Sequence, residues 1–80
     1  ELKQQIKTAI KTKTAVANEP QLVESFIAAN PEFWETYQML AHYYRALGNK
    51  QQADRYYTLA MSKEVNDTHE IDKMKQEMKE

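Results

Sequence analysis

The sequence predicts an all-α fold of about five helices, and three observations carry that prediction. Apolar residues recur at helical spacing, no segment alternates as a strand would, and residues that punctuate a chain are few. One glycine and two prolines in 80 residues leave too few turn points for a barrel or a sandwich. A hydrophobic share of 41% separates the chain from a disordered tail.

The first helix starts at Leu2, with Ile6, Ile10 and then Val16 on one stripe and Ala9 and Ala17 beside it. Thr8, Thr12 and Thr14 weaken its propensity, so fraying is expected near Thr14. In Asn18-Glu19-Pro20-Gln21, Asn18 is read as a cap, proline suits the first turn, and Gln21 completes a capping box. The second helix follows, with Leu22, Val23, Phe26 and Ile27 inward, and it stops before Asn30-Pro31. Asn30 as cap and Pro31 as first helical residue are expected to open the third helix. That helix carries Phe33, Trp34, Tyr37, Leu40, Ala41, Tyr44 and Leu47, and it ends at Gly48. Asn49 with Gln52 caps the fourth, which runs to about Ser62 with Ala53, Tyr56, Tyr57, Ala60 and Met61 inward. Asp67-Thr68-His69-Glu70 starts a fifth, whose narrow seam of Ile71, Met74 and Met78 suits a closing helix.

Composition excludes several kinds of function. With 11 basic and 12 acidic residues, the net charge of -1 gives no overall field for nucleic acid or an anionic membrane. Charge comes in blocks of alternating sign, +3 over 1–18, -4 over 19–40, +3 over 41–63 and -3 over 64–80, which helps neighbouring helix pairs attract. No apolar run reaches the ~18–20 residues that would span a bilayer, so membrane insertion is not expected. Zero cysteines remove disulfides, thiol nucleophiles and cysteine-held zinc. Because the sequence begins at Glu1 rather than at methionine, it is expected to be a fragment of a larger protein.

The segment 34–65 resembles a tetratricopeptide repeat, a helix–turn–helix of 34 residues with the pattern W-x2-L-G-x2-Y, A-x3-F and a final P. Tyr37 stands for the tryptophan, Leu40 and Ala41 for leucine and glycine, Tyr44 for tyrosine, Ala53 for alanine and Tyr57 for phenylalanine. Ala60 adds a further small position, and Val65 replaces the proline. Small residues at Ala41, Ala53 and Ala60 let two backbones approach while the tyrosines fill the space around them. Transposed by 34 residues, Leu40 maps to Ile6, Tyr44 to Ile10, Tyr57 to Val23 and Val65 to Pro31. Ala41 and Ala53, however, map to Lys7 and Glu19. The chain is therefore expected to form a degenerate repeat over 1–31, a repeat over 32–65 and a capping helix over 67–80.

That resemblance implies a non-catalytic module whose first helices line a groove for a protein or peptide segment, or for another domain of the parent chain. By position, the groove candidates are Glu35, Gln38, His42 and Arg45 from the better repeat and Gln4, Thr8 and Lys11 from the poorer one. Gln38, Met39 and His42 stand where chaperone-binding members place lysine and asparagine, so a carboxylate clamp of that kind is not expected. Trp34, Tyr43 and Arg45 are the candidate anchors. Trp34 has a second reading, packing back onto the second helix near Ala29, and the whole groove has one as a plain solvated face. Tyr43 and Tyr56, rotated by about 100° from Tyr44 and Tyr57, are read as lying at the surface or on a second contact face. The chain also resembles the helical tails that follow hydrolase domains in some bacterial proteins, including self-processing amidohydrolases, which implies a supporting appendage. Self-association is a further way to close so short an array.

Catalytic material is thin. Ser25 and Ser62 are the hydroxyl nucleophiles, His42 and His69 the bases, and no triad assembles from them. His42 is read either as a ligand contact or as a partly exposed packing residue, and His69 as exposed. Without an i,i+4 partner, neither histidine makes a zinc site, so no metal and no cofactor are expected.

Overall fold

The computed structural model describes residues 2–80 and resolves them into five helices. These are α1 (Leu2–Thr12), α2 (Glu19–Ala29), α3 (Trp34–Ala46), α4 (Lys50–Ser62) and α5 (Thr68–Lys79), with no strand among the described residues. The all-α class is thus observed. Neighbours alternate in direction. Tyr37 at the start of α3 lies under the ammonium of Lys63 just beyond α4, 5.4 Å from the ring centre, whereas Tyr44 near its end stacks on Tyr56. α3 and α4 are therefore antiparallel. Glu19 at the start of α2 meets Tyr43 and Tyr44 near the end of α3, so that pair is antiparallel too. Lys50 at the start of α4 donates to the Met78 carbonyl at the end of α5, 2.7 Å away. The odd-numbered helices consequently run parallel: Gln38, His42 and Arg45 ascend α3 in the same order as their partners Glu70, Glu77 and Glu80 ascend α5 and the residue that follows it.

α3 and α4 share the broadest contact of the fold. Ala41, Ala53 and Ala60 are buried, as the small-residue pattern requires for close backbone approach, and Leu40 and Tyr57 have no accessible surface. The turn between them is tight because Gly48 adopts φ 78. From there the Asn49 amide donates to the Tyr44 carbonyl at 2.9 Å and the Gly48 amide to Arg45 at 3.0 Å, satisfying two carbonyls at the helix end. Asn49 then caps α4, its side chain accepting from the Gln52 amide at 3.2 Å. At α5, Asp67 caps by accepting from the His69 amide at 2.9 Å.

Three local expectations are corrected. α3 begins at Trp34 with Phe33 as its cap residue, so Asn30 is no cap and Pro31 no first helical residue. The carbonyls of Asn30 and Pro31 are taken instead by the side chains of Thr36, at 3.0 Å, and Tyr37, which hold 30–33 as a turn outside the helix. Asn18 lies in the left-handed region with φ 54 and makes no side-chain cap, although Pro20 does sit in the first turn of α2. α1 stops at Thr12, and Val16 lies in the connection, where its amide donates to the Tyr43 hydroxyl at 3.1 Å.

The larger correction concerns α3. Tyr43 is 1% exposed and Tyr56 is buried, so the surface reading fails for both and each lies on a second contact face. α3 has α1 and α2 on one flank and α4 on the other, so faces about 100° apart are all covered. Tyr43, Tyr44 and Tyr56 form a stepped cluster, edge-on at 5.0 Å and then stacked at 5.5 Å, with the Glu19 carboxylate accepting both Tyr43 and Tyr44 hydroxyls.

Candidate functional site

Spacing of four and then three residues puts Gln38, His42 and Arg45 on one face of α3. Each meets an acidic side chain of α5 or of the residue that follows it: Gln38 donates to Glu70 at 3.3 Å, His42 lies 3.0 Å from Glu77, and Arg45 pairs with Glu80 just beyond the helix. Glu77 is the hub. Its Oε1 also accepts the Tyr57 hydroxyl at 2.6 Å, and the His42 and Tyr57 rings meet edge to face at 5.9 Å. Burial by itself would raise the Glu77 pKa, but the hydrogen bonds from Tyr57 and His42, with the positive charges nearby, hold it below the ordinary carboxylate value. Burial first, then the Glu77 hydrogen bond and charge, push the Tyr57 hydroxyl upward, so this proton stays on the phenol. A carboxylate kept ionised between two donors is a fastening and not a general acid. With these bonds, and with Met74 fully buried, α5 is held against α3 and α4.

On the other flank of α3, two depressions separate it from α1. One, of about 450 Å³, is lined by Ile10, Lys13, His42, Arg45, Ala46 and Glu77. A second, of about 260 Å³, is lined by Lys7, Ile10, Glu35, Gln38, Met39 and His42. They share Ile10 and His42 and make one trough with half-buried Ile10, Met39 and Ala46 as floor. Glu35, Gln38, His42 and Arg45 therefore do share a surface, as the resemblance implies.

The α1 candidates do not join them. Gln4 and Thr8 bond to each other at 3.3 Å and line a separate recess with Ala15, Val16 and Ala17, while Lys11 is exposed and lines neither depression of the trough. The reason is one residue of register. α1 ends with the Thr14 amide bonded to the Ala9 carbonyl at 3.2 Å around a left-handed Lys13, which is the same turn that Gly48 makes after α3. Ala9 thus matches Tyr44, 35 residues on, and a transposition by 34 lands one residue late, about 100° round the helix. Under the corrected register Gln38 matches Lys3, His42 matches Lys7 and Arg45 matches Ile10, and Lys7 and Ile10 do line the trough. Sequence reasoning missed Lys7 and Lys13 because lysine occupies after α1 the turn position that glycine occupies after α3.

Trp34 and Phe33 exchange roles. Trp34 is buried at 9% exposure, its ring edge-on to Phe33 at 6.3 Å, so it is no free anchor. Phe33 is 48% exposed beside Phe26, Met39 and Lys3. Tyr43 is likewise withdrawn from any partner by its burial. Of the three candidate anchors, Arg45 alone stands exposed, and Glu80 holds it.

For catalysis or metal binding, the described residues bring little together. No group of three or more histidine, cysteine, aspartate or glutamate side chains among them is placed to hold a metal ion. Ser62 donates to the Leu59 carbonyl of its own helix at 2.6 Å, and His42 faces Glu77, not a serine. No described helix is long and apolar enough to cross a membrane.

Fold and trough define the class, an all-α array of alternating helices with its three parallel helices sharing one side. Comparison of the chain with family models, with curated proteins and with solved structures finds no match.

Proposed function

We propose that the chain is a non-catalytic interaction module, a tetratricopeptide-like array that receives a peptide or helical segment in the trough between α1 and α3. The observation that carries this reading is the trough itself. Its apolar floor of Ile10, Met39 and Ala46 is edged by side chains able to donate or accept hydrogen bonds, and it lies between preformed helices, so binding orders little of the module. The fastening of His42 to Glu77 favours a binding role over a catalytic one, because it engages the histidine away from any nucleophile. The test is selection of displayed peptides on the immobilised chain, followed by chemical-shift mapping. The reading requires the shifts to gather at Ile10, Met39 and Ala46; shifts confined to the outward faces of α2 and α4 would refute it.

Exposed Phe33 favours a second reading, a helical appendage that packs on another domain of its parent protein. An appendage would use the end of the array near Phe26 and Phe33 rather than the trough, so the same mapping with the parent domain separates the two.

A further inference from the structure

Lys7, Lys13 and Arg45 line the trough against Glu35 and Glu77, an excess of one positive charge within the lining. From Leu2 to Asn18 there are four lysines and no carboxylate, and like charges one helical turn apart at Lys3, Lys7 and Lys11 disfavour the helix that carries them. Among the described residues Lys3, Lys7 and Lys13 enter no ion pair. The carboxylates nearby are spoken for. Glu77 is taken by His42 and Tyr57 and Glu80 by Arg45, which leaves Glu35 as the unpaired acid of the trough lining.

Lys13 adds an independent sign. It closes α1 in the left-handed region, with φ 56, where a side chain with a β-carbon is disfavoured and where the matching turn after α3 has glycine. Strain kept at a residue whose side chain lines a cleft points to work done by that side chain. The strained backbone and the unpaired charge coincide at one residue.

We propose that the partner segment is acidic and amphipathic, with carboxylates meeting Lys7 and Lys13 and apolar side chains resting on Ile10, Met39 and Ala46. This inference rests on the trough being the binding site and adds the chemistry of what it takes. Lysine on a flexible stem supplies charge and steering rather than a fixed fork, so the preference is for acidity and not for one sequence.

The experiment titrates the chain into a fluorescent peptide of repeated Leu-Glu-Glu-Leu units and into its counterpart with Gln for Glu, at low and high salt. The acidic peptide is expected to bind more tightly, with affinity falling as salt rises. Lys13→Gly and Lys13→Asn, both at ease in the left-handed region, are expected to melt higher than the parent chain. Each should nonetheless bind the acidic peptide about two- to fivefold more weakly, with the neutral peptide unaffected. Equal binding of the two peptides, or unchanged binding of the acidic one by both variants, overturns the acidic assignment while leaving the trough reading intact. Binding of neither peptide overturns both. Dimerisation of the chain through this face, seen by sedimentation, would put a second copy in the trough and also overturn the assignment.

Discussion

The Glu77 carboxylate of α5 accepts the Tyr57 hydroxyl of α4 across 2.6 Å, and Tyr57 has no accessible surface. A single bond thus joins the closing helix to the helix pair that forms the centre of the fold. Tyr57→Phe removes the donor while keeping the ring, and leaves Glu77 with His42 and solvent. Loss of a hydrogen bond to a charged acceptor should cost about 1.5 kcal/mol. Amide exchange at Ile71 and Met74 should quicken in the variant more than exchange in α2. Uniform quickening across the chain would show that α5 is not fastened at this point.

Small residues between α3 and α4 set how near their backbones come. Ala41 has no accessible surface and Ala53 is 2% exposed, so neither has room for an isobutyl group. Ala41→Leu and Ala53→Leu should each destabilise by about 1–3 kcal/mol through overpacking, read as a lowered thermal midpoint. Unchanged midpoints for both would contradict the close approach of these helices.

The tyrosines predict an alkaline limb. Burial first, and then the charge of Glu19, push the Tyr44 pKa up to about 12, and burial raises those of Tyr43, Tyr56 and Tyr57 as well. A raised native value means that the folded chain keeps protons the unfolded chain gives up near pH 10, so stability is full below that pH and is lost as pH climbs through the native values. Glu77 acts in the opposite direction. Its native pKa lies below 4.5, so its contribution is present above that value and is lost as pH falls through the native one. Thermal midpoints against pH should therefore decline on both sides, and Tyr44→Phe should flatten the alkaline side.

Phe33 and Trp34 should respond very differently to truncation although they are neighbours. Trp34→Ala empties a core site and should cost about 3–5 kcal/mol. Phe33→Ala, at a half-exposed cap position whose side chain makes no capping bond, should shift stability by no more than about 0.5 kcal/mol. Equal costs in denaturant melts would mean that the exposed ring is structural after all.

Much of the fold was legible in sequence because its cues are local. The periodic apolar residues of α3 and α4, the glycine in the left-handed turn and the Asn49 and Asp67 caps each act within a few residues, and each is found where expected. The missed start of α3 has a non-local cause. Asn30-Pro31 has the chemistry of a helix start, but Thr36 and Tyr37 reach back to its carbonyls and hold those residues as a turn. The α3 side of the trough was legible from the repeat that the sequence resembles. Its α1 side was not, because the turn that sets the register carries Lys13 and looks like a helix interior in sequence.

Sequence alone determined the helical class, the number of helices and the small residues that let two of them touch, since backbone preference and apolar period are written residue by residue. Tertiary packing decided which residues face a partner. It buried Tyr43, Tyr56 and Trp34, exposed Phe33, and turned Lys7 and Lys13 toward the trough. A helix in the middle of an array has neighbours on several sides, so no single period records which of its faces is left to solvent.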